Sequence, residues 1–209
     1  MLGEQGSFER MGGGLHPGGL ELTRRGLFLC GFPKGARIVD IGAGAGASVR
    51  LLREAGYLCT GIDVHPQAGD FPMVQAQAEA LPLARESLHG IVCECVLSLL
   101  KNPERVVKGF WEACRFGGRL LLTDVYVRDC GQVSFAALFS RRELESVLRD
   151  AGWRAAYFED CSLALQEFAG QLAWHAPGDV ASWLHAACGR HIPWRALGYG
   201  LWIAHKEGQ

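Results

Sequence analysis

Long hydrophobic runs are missing from this chain. No uncharged apolar stretch approaches the roughly 18 residues that a bilayer-spanning helix needs, so no membrane segment is expected. The opening residues carry Glu4, Glu9 and Arg10 and no apolar block, so no secretory leader is expected either. Charge imbalance is missing too: 21 Lys and Arg stand against 22 Asp and Glu, a net charge of -1. That balance gives no general attraction to phosphate backbones or anionic surfaces, and nucleic acid is not an expected partner. The eight cysteines, at 30, 59, 93, 95, 114, 130, 161 and 188, form no C-x-x-C pair and no zinc-ligand spacing. Most sit inside apolar patterns, where a reduced thiol behaves as a small hydrophobe. The expectation is a cytoplasmic, thiol-rich protein without a metal site.

What is present is a strand–helix alternation over one domain, 1–209, a length that buries a substantial core. Residues 1–19, with seven glycines, read as a flexible arm ending at His16-Pro17-Gly18-Gly19. The pattern predicts helices over 20–30, 47–55, 103–114 and 140–151. Asn102 and Pro103 open the third of these, and Ser140 with Glu143 forms a capping box for the fourth. Strands are predicted over 37–41, 58–63, 73–75, 90–95, 119–125, 153–159 and 199–205. Alternation of this kind implies an α/β architecture, a mostly parallel sheet covered by helices on both faces. The stretch 160–198 reads as irregular. About 162–198 forms an insertion too long for a hairpin loop, with Phe168, Trp174, Trp183, Trp194 and three histidines, His175, His185 and His191. Phe168, Leu172, Trp183, Leu184 and Ala187 suit short amphipathic helices, and such a segment would cap a substrate pocket or cover the sheet edge.

The most informative segment is Ile38-Val39-Asp40-Ile41-Gly42-Ala43-Gly44-Ala45-Gly46-Ala47, which leaves a predicted strand and enters a predicted helix. Its glycines permit a tight turn and a close approach of backbone to ligand. Asp63 ends the next strand, 21 residues after Gly42, where a carboxylate can accept both hydroxyls of an adenosine ribose. Gly42, Gly44 and Ala47 also satisfy the dinucleotide pattern G-x-G-x-x-A, so a nicotinamide-dependent oxidoreductase is a rival reading. Asp40 separates the two. A carboxylate at that strand end repels a pyrophosphate but favours an ammonium group. A third alternative is a nucleoside-binding module without catalysis.

Val39 to Gly46 resembles motif I of the Rossmann-like (class I) S-adenosylmethionine-dependent methyltransferases. Gln77-Ala78-Glu79-Ala80-Leu81-Pro82-Leu83 resembles the segment that edges the adenine in the quinone-biosynthesis group of small-molecule methyltransferases. Phe116-Gly117-Gly118-Arg119-Leu120-Leu121-Leu122 resembles the glycine turn before their fifth strand. The resemblance implies a three-layer αβα sandwich whose seven-stranded, mostly parallel sheet has its last strand antiparallel. It implies S-adenosylmethionine as cofactor, S-adenosylhomocysteine as product and a small molecule as methyl acceptor. Asp40, Gly42, Gly44, Gly46, Asp63, Val64, Gln77, Ala78 and Glu94 then fall at the cofactor. Gln77 departs from the family's usual Asp, which weakens its bond to the adenine amino group, and Phe116 replaces a common Pro.

Cys93-Glu94-Cys95-Val96-Leu97-Ser98-Leu99 closes the fourth strand, where the chain also resembles the arsenite methyltransferases, with a metalloid-binding cysteine at the position of Cys95. Val133 to Leu138, where that group carries a second thiol, has none, and a lone soft ligand holds a metalloid poorly. Period two would place Cys93 and Cys95 on one face of a buried strand as packing residues. Asp124 and Tyr126, at the end of the fifth strand, are the candidates for acceptor contact or catalytic base.

Overall fold

A computed structural model describes residues 16–67, 69–128, 138–175 and 194–208. The expected arm therefore lies outside the described residues up to residue 15. So do Cys130, the segment 133–137, and Trp183, Leu184, His185, Ala187, Cys188 and His191 of the insertion.

Helix α1 (Gly19–Cys30) turns off at Gly31, whose left-handed backbone (φ 56°) returns its N–H to the carbonyls of Leu27 and Phe28. Strand β1 (Arg37–Ile41), helix α2 (Ala47–Glu54), strand β2 (Leu58–Asp63) and the short β3 (Met73–Gln75) follow. Next come β4 (Leu88–Glu94), α3 (Pro103–Ala113), β5 (Cys114–Val127), α4 (Arg141–Asp150), β6 (Arg154–Asp160), α5 (Ser162–His175) and β7 (Leu197–His205). Both halves of the capping box are made at Ser140, with Glu143 Oε2 accepting from Ser140 N at 2.7 Å. Asn102 stands at the N-cap of α3 and Pro103 in its first turn, without a side-chain cap bond.

The seven strands form one sheet in the order β3-β2-β1-β4-β5-β7-β6. All pairs are parallel except those of β7, which runs antiparallel between β5 and β6. Valine, isoleucine and leucine fill both sides of β1, β4 and β5, as sheets covered on two faces require. Alternation along the strands divides the core in two. Val92, Leu121, Val125 and Ile203 pack under α1, α2 and Leu165 of α5, whereas Ile91, Cys93, Leu122 and Trp202 pack under α3 and α4.

Three expectations are corrected. The fourth strand ends at Glu94 because Cys95 takes a left-handed backbone, φ 56°. Cys93 then packs on the α3 side and Cys95 against the opposite cluster, so the two do not share a face. The fifth strand starts at Cys114 rather than 119, since the glycine turn is absorbed as a register shift against β4, with Gly117 at φ 75°. Finally, 162–175 is not irregular but the 14-residue α5. Exposed Leu163 beside buried Leu165, and Gly170 in its interior, blur the helical pattern there. No described helix is long and apolar enough to cross a membrane.

Candidate functional site

The site begins where β1 runs out at the carboxyl edge of the sheet. Gly42, Gly44 and Gly46 all hold positive φ, 73°, 51° and 74°. Gly42 and Ala43 donate to the carbonyl of Ile62 at the end of β2, at 2.7 and 3.2 Å, which pins the loop across two strands. A Cβ on Gly42 would stand 2.1 Å from Val96 Cγ2, and one on Gly46 would stand 1.9 Å from the ring of Phe71. A Cβ on Gly44 would meet nothing within 4 Å. Two glycines are therefore demanded by packing, and Gly44 opens the backbone to an approaching ligand.

Three carboxylates surround this loop. Asp63 Oδ2 accepts from Gly44 N at 2.9 Å, and Oδ1 accepts from His65 N at 2.8 Å. Each oxygen keeps a further lone pair. Glu94, buried at the tip of β4, accepts from Thr23 Oγ1 (3.1 and 3.0 Å) and from Ser48 Oγ (3.3 Å). His16 Nε2 stands 3.5 Å from Glu94 Oε2, and His16 Nδ1 stands 3.2 Å from the carbonyl of Pro17. Asp40 is 3% exposed. Burial holds the Asp40 carboxyl well above the usual carboxylate range, and the charges of Glu94 and Asp63 push the same way. Among the described residues no Lys or Arg pairs with any of the three. A buried acid beside two further carboxylates and an open glycine backbone fit a nucleoside that carries a cationic amino-acid tail.

Val64 and Gln77 are exposed and Ala78 is half-buried, along the loops that follow β2 and β3. Sequence reasoning missed His16, Thr23 and Ser48 as the partners of Glu94. Thr23 left a trace: it is a polar residue on the apolar stripe of α1, at helical spacing from Leu20 and Leu27. His16 left none.

The segment after β4 serves a second hollow. Val96 presses on Gly42, and the next residues, Leu97 to Leu100, line a cavity of about 510 Å³ between the starts of α3 and α4. Asp124 forms part of its wall, 2% exposed. Its Oδ2 accepts from Ser98 N at 2.9 Å and its Oδ1 from Val125 N at 2.7 Å. Burial pushes the Asp124 carboxyl up to about 6 in spite of these bonds, which pull it down. Tyr126 does not line this cavity. Its hydroxyl donates to Asp160 Oδ2 at 3.2 Å, and its ring packs edge-on against Phe158 and Trp202. Cys95 Sγ shares a hydrogen bond with Tyr199 Oη (3.1 Å), which donates to Thr123 Oγ1 (2.8 Å). Burial pushes the Cys93 and Cys95 thiols well up, which disfavours the thiolate form of both. No group of three or more metal-ligating side chains occurs among the described residues.

Residues 39–122 match the model of a family described as a methyltransferase domain. Over 115 residues the chain is 27% identical to the phosphatidylethanolamine N-methyltransferase of Cereibacter sphaeroides, a match covering 48% of this chain and 56% of that protein. Over 188 residues it is 21% identical to the demethylmenaquinone methyltransferase of Tropheryma whipplei, covering 85% and 76%. The fold superposes, with a TM-score of 0.76 and 15% identity, on phosphoethanolamine N-methyltransferase 2 of Haemonchus contortus in complex with S-adenosyl-L-methionine, covering 97% of this chain and 56% of that one. The antiparallel β7 in its inserted place and the family match through β1, the glycine loop and β5 agree. Residues 39–122 thus match a methyltransferase domain, and the seven-stranded sheet with its antiparallel β7 is the Rossmann-like fold of the structural neighbours.

Proposed function

We propose that this chain is a single-domain enzyme of the cytoplasm that methylates a small molecule. The carrying observation is the run of carboxylates at the glycine loop, Asp40, Asp63 and Glu94, with no described Lys or Arg against them. When bound, S-adenosylmethionine supplies a methyl group already activated by a sulfonium. The protein's task is then to hold, align and dry the reactants. Asp40 faces the ammonium of the amino-acid tail, with Glu94 behind it. Asp63 accepts from the ribose hydroxyls with its remaining lone pairs, and Gly42, Gly44 and Gly46 let the backbone approach. Val64 and Ala78 flank the adenine, and the carboxamide oxygen of Gln77 accepts from its amino group. Asp124 takes up the proton that a hydroxyl or amine acceptor releases. The burial of Tyr126 against Asp160 favours a supporting role for it at the end of β5.

The six described cysteines are all unpaired, which supports a reducing compartment. A nicotinamide dinucleotide would bring its pyrophosphate against three acids, so the rival reading meets repulsion at the point where it needs attraction. Cross-linking with radiolabelled S-adenosylmethionine under ultraviolet light, followed by peptide mapping, tests the reading. Label is expected on peptides holding 40–46, 63–65 or 77–78, and S-adenosylhomocysteine should suppress it where NAD does not. Label confined elsewhere, or suppressed equally by NAD, would reject it.

A further inference from the structure

We infer that the methyl acceptor is a compound with an apolar body and a hydroxyl or amino nucleophile, seated in the cavity between α3 and α4, and that phosphorylated and carboxylated compounds are refused there. The inference rests on the proposed methyl transfer and names the acceptor class. The cavity adjoins the glycine loop through consecutive residues: Val96 touches Gly42, and Leu97 and Ser98 line the hollow. Its volume of about 510 Å³ accommodates a bicyclic ring or a comparable chain.

The lining sets the chemistry. Leu97, Leu100, Val125, Leu138 and Leu144 give an apolar wall. The buried polar group in that wall is Asp124, which accepts from the N–H groups of Ser98 and Val125, with the Ser98 hydroxyl and Leu97 N–H also bonding to it, and which an O–H or N–H donor in the hollow would meet as an acceptor. Charge on the lining is unequal. Asp124, Glu104 and Glu143 stand against one described cation, Lys101, which is exposed at the rim. Glu143 is held by Ser140 at the start of α4 and is not free to swing away. An anionic acceptor would be desolvated beside a buried acid with no buried cation among the described lining residues to receive it, whereas a neutral or cationic donor satisfies the acid.

Fluorescence titration of the full chain loaded with S-adenosylhomocysteine tests this, using naphthol, naphthylamine and naphthyl phosphate as probes. Naphthol and naphthylamine are expected to bind saturably, and naphthyl phosphate at least tenfold more weakly. Leu99, which lines the cavity and is 53% exposed, can take a larger side chain without burying it in the core. Leu99→Trp should therefore weaken naphthol at least fivefold and leave S-adenosylhomocysteine affinity unchanged. Asp124→Asn should narrow the gap between naphthol and naphthyl phosphate. Phosphate binding equal to or tighter than naphthol, no saturable naphthol binding, or indifference to Leu99→Trp would each overturn the acceptor class or its seat. Failure of S-adenosylhomocysteine itself to bind would instead defeat the methyl-transfer reading beneath it.

Discussion

The two halves of the carboxyl edge of the sheet are built differently. The proposed cofactor half is written almost contiguously: Asp40, the three loop glycines and Asp63 come from one strand–loop–helix–strand run, 37–63. The proposed acceptor half draws Leu97 to Lys101 from one loop, Asp124 from the tip of β5, and Leu138 to Leu144 from the approach to α4. The first is held by backbone bonds and bare glycine, the second by side chains of ordinary leucine and phenylalanine. A site built from consecutive residues is fixed by local backbone geometry, whereas a site built from separated segments is left to side chains brought together by topology.

The contrast can be broken most severely at the loop. Gly42→Ala places a Cβ 2.1 Å from Val96 Cγ2 on a backbone at φ 73°. Together these should cost about 3 kcal/mol, roughly a hundredfold in S-adenosylhomocysteine affinity by calorimetry, and should also disturb the acceptor cavity through Val96. Asp63→Ala removes the acceptor for Gly44 N and His65 N as well as for the ribose. A loss of about 1.5–3 kcal/mol, at least tenfold in affinity with the fold intact by circular dichroism, is expected. Unchanged affinity would take Asp63 out of the site.

In the acceptor half the sharper tool is pH. The Asp124 carboxyl is pushed up to about 6 from an ordinary 3.8. As a base it works only when unprotonated, so kcat/KM should fall as pH drops through about 6, and Asp124→Asn should lower the plateau by about 10²–10⁴-fold. A raised carboxyl also binds its proton more tightly in the folded than in the unfolded chain. Wild type should then gain stability relative to Asp124→Asn as pH falls from above 6 toward 3.8, the reverse of a salt-bridged acid. Denaturant midpoints measured across that window check the sign. The smallest effect is expected at Trp174 on α5, 85% exposed. Trp174→Ala should shift stability by no more than about 0.5 kcal/mol, so any larger loss in acceptor KM would assign α5 a part in covering the pocket.

How far the sequence carried follows the same division. Strands β1 and β2 fall where hydrophobic patterning puts them, because apolar β-branched residues bounded by glycine and aspartate leave little choice. Asp40 stood out by charge alone, an acid in a run that otherwise reads as core. Cys95 reads as a strand residue because nothing in its identity announces a left-handed backbone, and its N–H still bonds to the carbonyl of Thr123 on β5. The cavity at Asp124 was invisible for a similar reason, since its walls come from three separated segments. His16 reaches Glu94 across 78 positions, a contact that no local pattern encodes.

The central claim is that the acidic glycine loop receives a cationic nucleoside amino acid and refuses a pyrophosphate. Calorimetric titration of the full chain with S-adenosylhomocysteine and, separately, with NAD tests it most directly. The account predicts a single saturable site for S-adenosylhomocysteine, weakened by Asp40→Asn, and no measurable heat of binding for NAD. Saturable NAD binding that strengthens in Asp40→Asn, together with silence toward S-adenosylhomocysteine, would contradict it.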